Sequence, residues 1–264
     1  VHWWEPIQRI LPPKPGTLRG NAGVLYTRPH QGNIAGGRGS GDNTFFGRTD
    51  DHITGILKEH WNNGGTIQWF AQICPDRDDQ GSWRKWITAA AELGASGAYL
   101  HGGIVDYWHA NGMEGHFKEA LQRMRDAGIA AVGFAGHKPE AHAWMRDHLE
   151  VDFQMCSHYN PTDQSQHAQH IDTGEKLHDD DRARMLEIIA TIEKPVVHYK
   201  VFAGGNKPII PAFELLGRVM RKNDIVCVGM FPKDDPQMIA QNAAFVDEYV
   251  EKAAQKDSVS RMTQ

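Results

Sequence analysis

The chain has 264 residues, with 28 Lys and Arg against 33 Asp and Glu, a formal net charge of −5 and a pI near 6.3. The charges are spread without long runs, so the sequence lacks the basic patch that a nucleic-acid-binding domain shows. No apolar stretch approaches the ~18–20 residues that span a bilayer, and mean hydropathy is −0.53, so neither nucleic acid nor a membrane is expected as a partner.

The first 43 residues read as irregular. "LPPKPG" opposes both helix and central strand, because proline lacks the N–H and restricts its predecessor. One strand candidate follows, "AGVLYTR" (22–28), and then "GNIAGGRGSGDN", a glycine-rich tract without the GK[ST] ending of a phosphate loop. This segment is expected to add at most one helix-less strand to a body spanning 44–264. The opening "VHWWEPIQRILPPKPG" has no basic start, apolar core or small-residue cleavage site, so no secretory signal is expected there. Cys74, Cys156 and Cys227 form neither CxxC pairs nor a disulfide pattern, which suits a reduced, cytoplasmic setting.

From residue 44 onward, short apolar runs alternate with amphipathic segments. "TFFG" precedes a helix over Ile53–Trp61, with Asp50 or Asp51 as N-cap and "NNGG" as the stop. "TIQWFAQI" precedes "SWRKWITAAAELG", "GAYLHGG" precedes "HFKEALQRMRDAG", and "AAVGFAGH" precedes "KPEAHAWMRDHL" with Pro139 in its first turn. "DFQMCSHY" precedes, after a long polar loop, "DDRARMLEIIATI". "PVVHYKVFA" precedes "AFELLGRVMRKN", and "DIVCVGMF" precedes "PQMIAQNAAFVDEYVEKA". Seven strand–helix units in one body predict an α/β protein with a parallel sheet, a TIM (β/α)8 barrel whose first βα unit is irregular. A doubly wound open sheet is the alternative.

Four of these strands end near a histidine: His101, His137, His158 and His198. Chemistry in parallel barrels sits where strands end. Side chains alternate along a strand, so Tyr99 shares a face with His101, and His198 with Lys200. If those faces point inward, the four imidazoles form an arc at the mouth, with Asp106, Tyr159 and Asn160 in the adjoining loops. Such an arc offers acid–base groups, with His101 and Asp106 as catalytic candidates. It also offers ligands for a divalent metal (Zn, Mn or Fe) in His137, His158 and His198. An inward Lys200 would be desolvated and suited to a Schiff base or to holding an oxyanion. His142, His148, His167, His170 and His178 read as surface residues, and Cys156 as a small buried hydrophobe.

The order of motifs over about residues 43–246 resembles the aldo-keto reductase superfamily of (β/α)8 barrels. The segments that carry the resemblance are "NTFFGRTDDHITGIL", "AYLHGG", "GIAAVGFAGH", "DFQMCSHYNP", "PVVHYKVFAGG" and "CVGMFPKDDPQMIAQN". The resemblance implies an active-site role for His101, amide binding by Gln154, ring stacking by Tyr199 and cofactor clamping by Lys233 and Asn242. It also implies NADPH as cofactor. Of the family's Asp–Tyr–Lys–His tetrad only His101 has a counterpart, so the resemblance implies the barrel more than the reaction. Tyr199 and Lys200 are neighbours and cannot both face inward without a bulge.

The sequence therefore predicts a barrel enzyme acting on a small carbonyl or sugar-like substrate by lyase- or isomerase-type acid–base chemistry. Tyr99, Gln154, Tyr159 and Asn160 would contact the substrate, and a homo-oligomer is compatible with the composition. The alternatives are an NADPH-dependent reductase with a relocated proton donor, Tyr99 or Tyr159, and a barrel subunit without catalysis.

Overall fold

A computed structural model describes residues 23–26, 44–160, 177–229, 235 and 237–251. Eight strands close into a barrel in sequence order: β1 (Gly23–Tyr26), β2 (Thr44–Arg48), β3 (Gln68–Ile73), β4 (Gly97–Leu100), β5 (Ala131–Gly136), β6 (Phe153–Ser157), β7 (Val196–Tyr199) and β8 (Ile225–Gly229). The seven strands β2–β8 are parallel, as the alternation predicts, and the body is of TIM type. β1 lies within "AGVLYTR", the strand candidate of the sequence, but it runs antiparallel to both neighbours. The tract 32–42, Trp3, Trp4, His167, His170 and Lys233 lie outside the described residues.

The helices sit outside the strands: α1 (Asp51–Asn62), α2 (Trp83–Glu92), α3 (Gly102–Ala110), α4 (Glu114–Asp126), α5 (Pro139–His148), α6 (Asp179–Ile189), α7 (Ile209–Val219) and α8 (Met238–Phe245). Local chemistry sets their ends. The Asp50 carboxylate caps α1 by accepting the Ile53 N–H at 2.9 Å. Pro139 occupies the first turn of α5, where its missing N–H costs nothing. The helix predicted over "HFKEALQRMRDAG" is α4. Between it and β4 lies α3, which the sequence reading missed.

Strand alternation divides the core in two. Phe45, Trp69, Leu100 and Phe134 face outward and pack against Leu57, Ile87, Phe117 and Met145 of the helices. Phe46, Tyr99, Phe153, Met155, Val197 and Cys227 fill the barrel interior, with Phe46 stacked on Phe70 at 4.9 Å between ring centroids. Each fully buried large side chain contributes roughly 1.5–3 kcal/mol over its exposed state. This division also fixes which strand-end residues reach the mouth.

Candidate active site at the ends of β4 and β5

His101 follows β4 on the interior-facing side and serves as N-cap of α3, its Nδ1 accepting the Gly103 N–H at 3.1 Å. An Nδ1 that accepts must carry a lone pair, so the neutral ring holds its proton on Nε2. A strand end thus becomes a helix start within one residue. Gly102 is needed at that turn, because a Cβ there would lie 2.7 Å from His137 Cε1 and 2.9 Å from the Tyr199 hydroxyl.

One turn into α3, Asp106 points at the end of β5. Its carboxylate accepts the backbone N–H of His137 at 3.1 Å and that of Lys138 at 3.2 Å. It also accepts the ring N–H of His137, Nδ1 to Oδ2, at 2.8 Å. Both side chains are 1% exposed. Because the carboxylate only accepts, the neutral His137 ring holds its proton on Nδ1 and a lone pair on Nε2. Burial raises Asp106 to about 6, against the lowering effect of the His137 N–H, His142 and Lys138. The His137 ring rests beside Tyr199, 5.7 Å between centroids, and the Tyr199 hydroxyl donates to the Gly136 carbonyl at 3.2 Å.

The other expected site residues are placed differently. Tyr99 lies in the barrel interior, its hydroxyl accepting from Gln72 Nε2 at 3.2 Å, and burial holds its pKa well above the usual phenol value. Gln154 faces the helices, where its carbonyl oxygen is 2.7 Å from His142 Nδ1, so it does not line the interior as the amide-binding role requires. Tyr159 turns towards α6: its hydroxyl accepts from Arg182 at 2.7 Å and donates to Asp179 at 3.4 Å, and burial raises its pKa. Asn160 is half-buried at the edge of the described residues, its Oδ1 without a hydrogen-bond partner among them.

The inward arc of four histidines and the metal set His137, His158 and His198 are not formed. Gln154, Cys156, His158 and His198 lie on the helix-facing side of β6 and β7. His158 Nε2 meets His198 Nδ1 at 3.0 Å, and His198 Nε2 meets Asp224 at 3.4 Å, so both His198 nitrogens are engaged within the protein. Among the described residues no group of three or more His, Cys, Asp or Glu side chains is placed to hold a metal ion. Lys200 follows the last residue of β7 with a φ of 53°, so it does not continue the alternation that paired it with His198. The inward residue of that strand end is Tyr199, packed against the interior cluster.

No protein-family model matches this chain, and no curated protein matches it. The barrel is of TIM type, and nothing in these comparisons supports the assignment to the aldo-keto reductases. Among the described residues no helix is long and apolar enough to cross a membrane.

Sequence reasoning missed His142. It is 0% exposed rather than on the surface. The signal was available: Ala141 and Met145 mark the buried stripe of α5, and residue 142 lies three before Met145 on it.

Proposed function

We propose that this protein is a barrel enzyme that moves protons on a small carbonyl or sugar-like substrate, an isomerase- or lyase-type reaction run by His137 and His101. The observation that carries this reading is the pair of different partners at the two Nδ1 atoms, a backbone N–H at His101 and a carboxylate at His137, from which opposite tautomers of the neutral rings follow. Asp106 fixes His137 with a basic Nε2, and the cap to Gly103 fixes His101 with a protonated Nε2. One histidine accepts a proton and the other donates one, from adjacent strand ends.

In an enolisation, His137 Nε2 takes the proton from the carbon next to a carbonyl. The C–H electron pair becomes the enol double bond, and the carbonyl oxygen takes the proton of His101 Nε2. Asp106 stabilises the imidazolium formed on His137 without itself accepting a proton. Returning protons to the neighbouring carbon gives an isomerase; expelling a leaving group from the enol gives a lyase.

The test is solvent exchange. Glycolaldehyde, dihydroxyacetone and glyceraldehyde are incubated with the protein in deuterated water, and loss of the proton next to the carbonyl is followed by NMR. Exchange by the unaltered protein that falls at least ~100-fold in His137→Gln is expected, the usual contribution of a positioned base. Exchange that persists in His137→Gln overturns the reading.

A further inference from the structure

His142 stands behind the acid–base pair, away from the mouth. Its ring is wholly buried between α5 and β6. Nδ1 lies 2.7 Å from Gln154 Oε1, an acceptor, so this nitrogen bears the proton; Cys156 Sγ is 3.5 Å from the same atom. In the neutral ring Nε2 therefore carries the lone pair and meets no hydrogen-bond donor among the described residues, while the Gly136 backbone beside it favours the protonated ring. A Cβ on Gly136 would lie 2.8 Å from His142 Nε2 and 3.4 Å from Asp106 Oδ1. The imidazole and the carboxylate thus both close on the α-carbon of residue 136, an approach that only glycine permits. A side chain needed merely to fill this space would be apolar, since a buried polar atom without a partner is destabilising.

We propose that His142 is a positioning residue for the acid–base pair, acting on His137 through Asp106. Gln154, His142, Asp106 and His137 then form one polar chain from the β6–α5 interface to the mouth. Charged or titratable neighbours of this chain include Lys138, beside Asp106, Tyr199, beside His137 and Asp106, and Cys156, beside His142. With His142 neutral, its lone pair faces Asp106 and opposes the negative charge that holds the His137 imidazolium. With His142 protonated, a second cation competes with His137 for the same carboxylate. In either state, removing His142 should strengthen the hold of Asp106 on protonated His137. The proposal takes its catalytic meaning from the acid–base reading of His137, but its test needs no substrate.

The experiment follows the His137 ring by NMR across pH in the full chain, with its signals assigned by their loss in His137→Gln. In His142→Gln the His137 titration midpoint should rise by at least about half a pH unit, since a carboxamide donates to the Asp106 carboxylate. In Gln154→Glu the midpoint should fall, since a carboxylate at 154 draws a proton onto His142 and turns a cation towards Asp106. A purely structural His142 gives no such reversal of sign. Unmoved midpoints, or movement in one direction in both variants, overturn the proposal. If His142→Gln does not fold, Gln154→Glu decides alone: a fall supports the proposal and any other result ends it. Loss of solvent exchange in His137→Gln with unmoved midpoints would leave the acid–base reading standing and remove only the role of His142.

Discussion

His158 Nε2 lies 3.0 Å from His198 Nδ1 on the outer side of β6 and β7, with both rings buried against the helix layer. His198 passes the contact on to Asp224 at 3.4 Å, and Arg221 holds Asp224 from the other side at 2.8 Å. Burial pushes Asp224 up, but the hydrogen bonds from His198 and Arg221 outweigh it and hold the carboxyl well below the usual carboxylate range. The result is a polar stitch between three strands inside an apolar layer. Breaking a buried network by removing one member leaves the others without partners. His198→Leu is therefore expected to destabilise the protein by about 3 kcal/mol, in the range of such deletions, read from urea unfolding. A loss under about 0.5 kcal/mol, the scale of ordinary surface substitutions, would mean that the stitch carries no stability.

The same burial makes stability depend on pH with a defined sign. His158 is held well below its usual value, by burial first and then by repulsion from His198 and Arg182, and burial also lowers His142. A histidine whose folded pKa is depressed takes up its proton preferentially when unfolded, so stability falls as pH drops below about 6.5. Asp106, raised to about 6, acts in the opposite sense between its unfolded value of 3.8 and about 6, where the folded state binds the extra proton. Two histidines outweigh one aspartate in number, so the net expectation is a stability that declines from pH 7 to pH 5. His158→Gln should flatten that decline. An unfolding midpoint that rises on acidification over this range would show Asp106 to be dominant.

What the sequence could show follows from what burial does to pattern. The alternation of strands and helices survives in composition and spacing, so the barrel is readable. The facing of His198 is not. "PVVHY" is apolar on both sides because a strand of a covered parallel sheet is buried on both faces, and its parity leaves no trace. The interior position of Tyr199, carried by resemblance, placed that strand better than the alternation argument from Lys200. The pairing of Asp106 with His137 was hidden for another reason. α3 opens on two glycines, which are poor helix formers, so Asp106 read as a loop residue although helical spacing is what aims it at β5.

Gly102 offers a test confined to the mouth. A methyl group at this position would stand 2.7 Å from His137 Cε1 and 2.9 Å from the Tyr199 hydroxyl, closer than ordinary contact, so the His137 ring must shift. Gly102→Ala places no strain on the helix backbone, where alanine is favoured over glycine. Its expected signature is a stability change of about 1–3 kcal/mol, as for other overpacked sites. A far larger loss of solvent exchange should accompany it, because a 1 Å misplacement costs on the order of 100-fold. Full exchange activity in a folded Gly102→Ala variant would place the chemistry elsewhere.

The last expectation concerns the antiparallel strand. β1 pairs with β8 from Gly23↔Gly229 to Tyr26↔Val226 and with β2 through Gly23↔Phe46 and Val24↔Phe45. Without it, β2 and β8 would become the two open edges of a seven-stranded sheet curled around an aromatic interior, an arrangement prone to edge-to-edge association. A strand hydrogen-bonded on both sides has no tolerance for proline, which removes a ladder donor and is confined to edges. Val24→Pro and Leu25→Pro are thus expected to destabilise the protein by at least about 1–3 kcal/mol each, the cost of one buried group left without its bond. Val24→Thr, which keeps the N–H, serves as the control for the side chain. Unfolding curves and light scattering read the two effects together. If both proline variants unfold as the unaltered protein does and stay monodisperse, β1 does not close the barrel, and something else must cover the gap between β2 and β8.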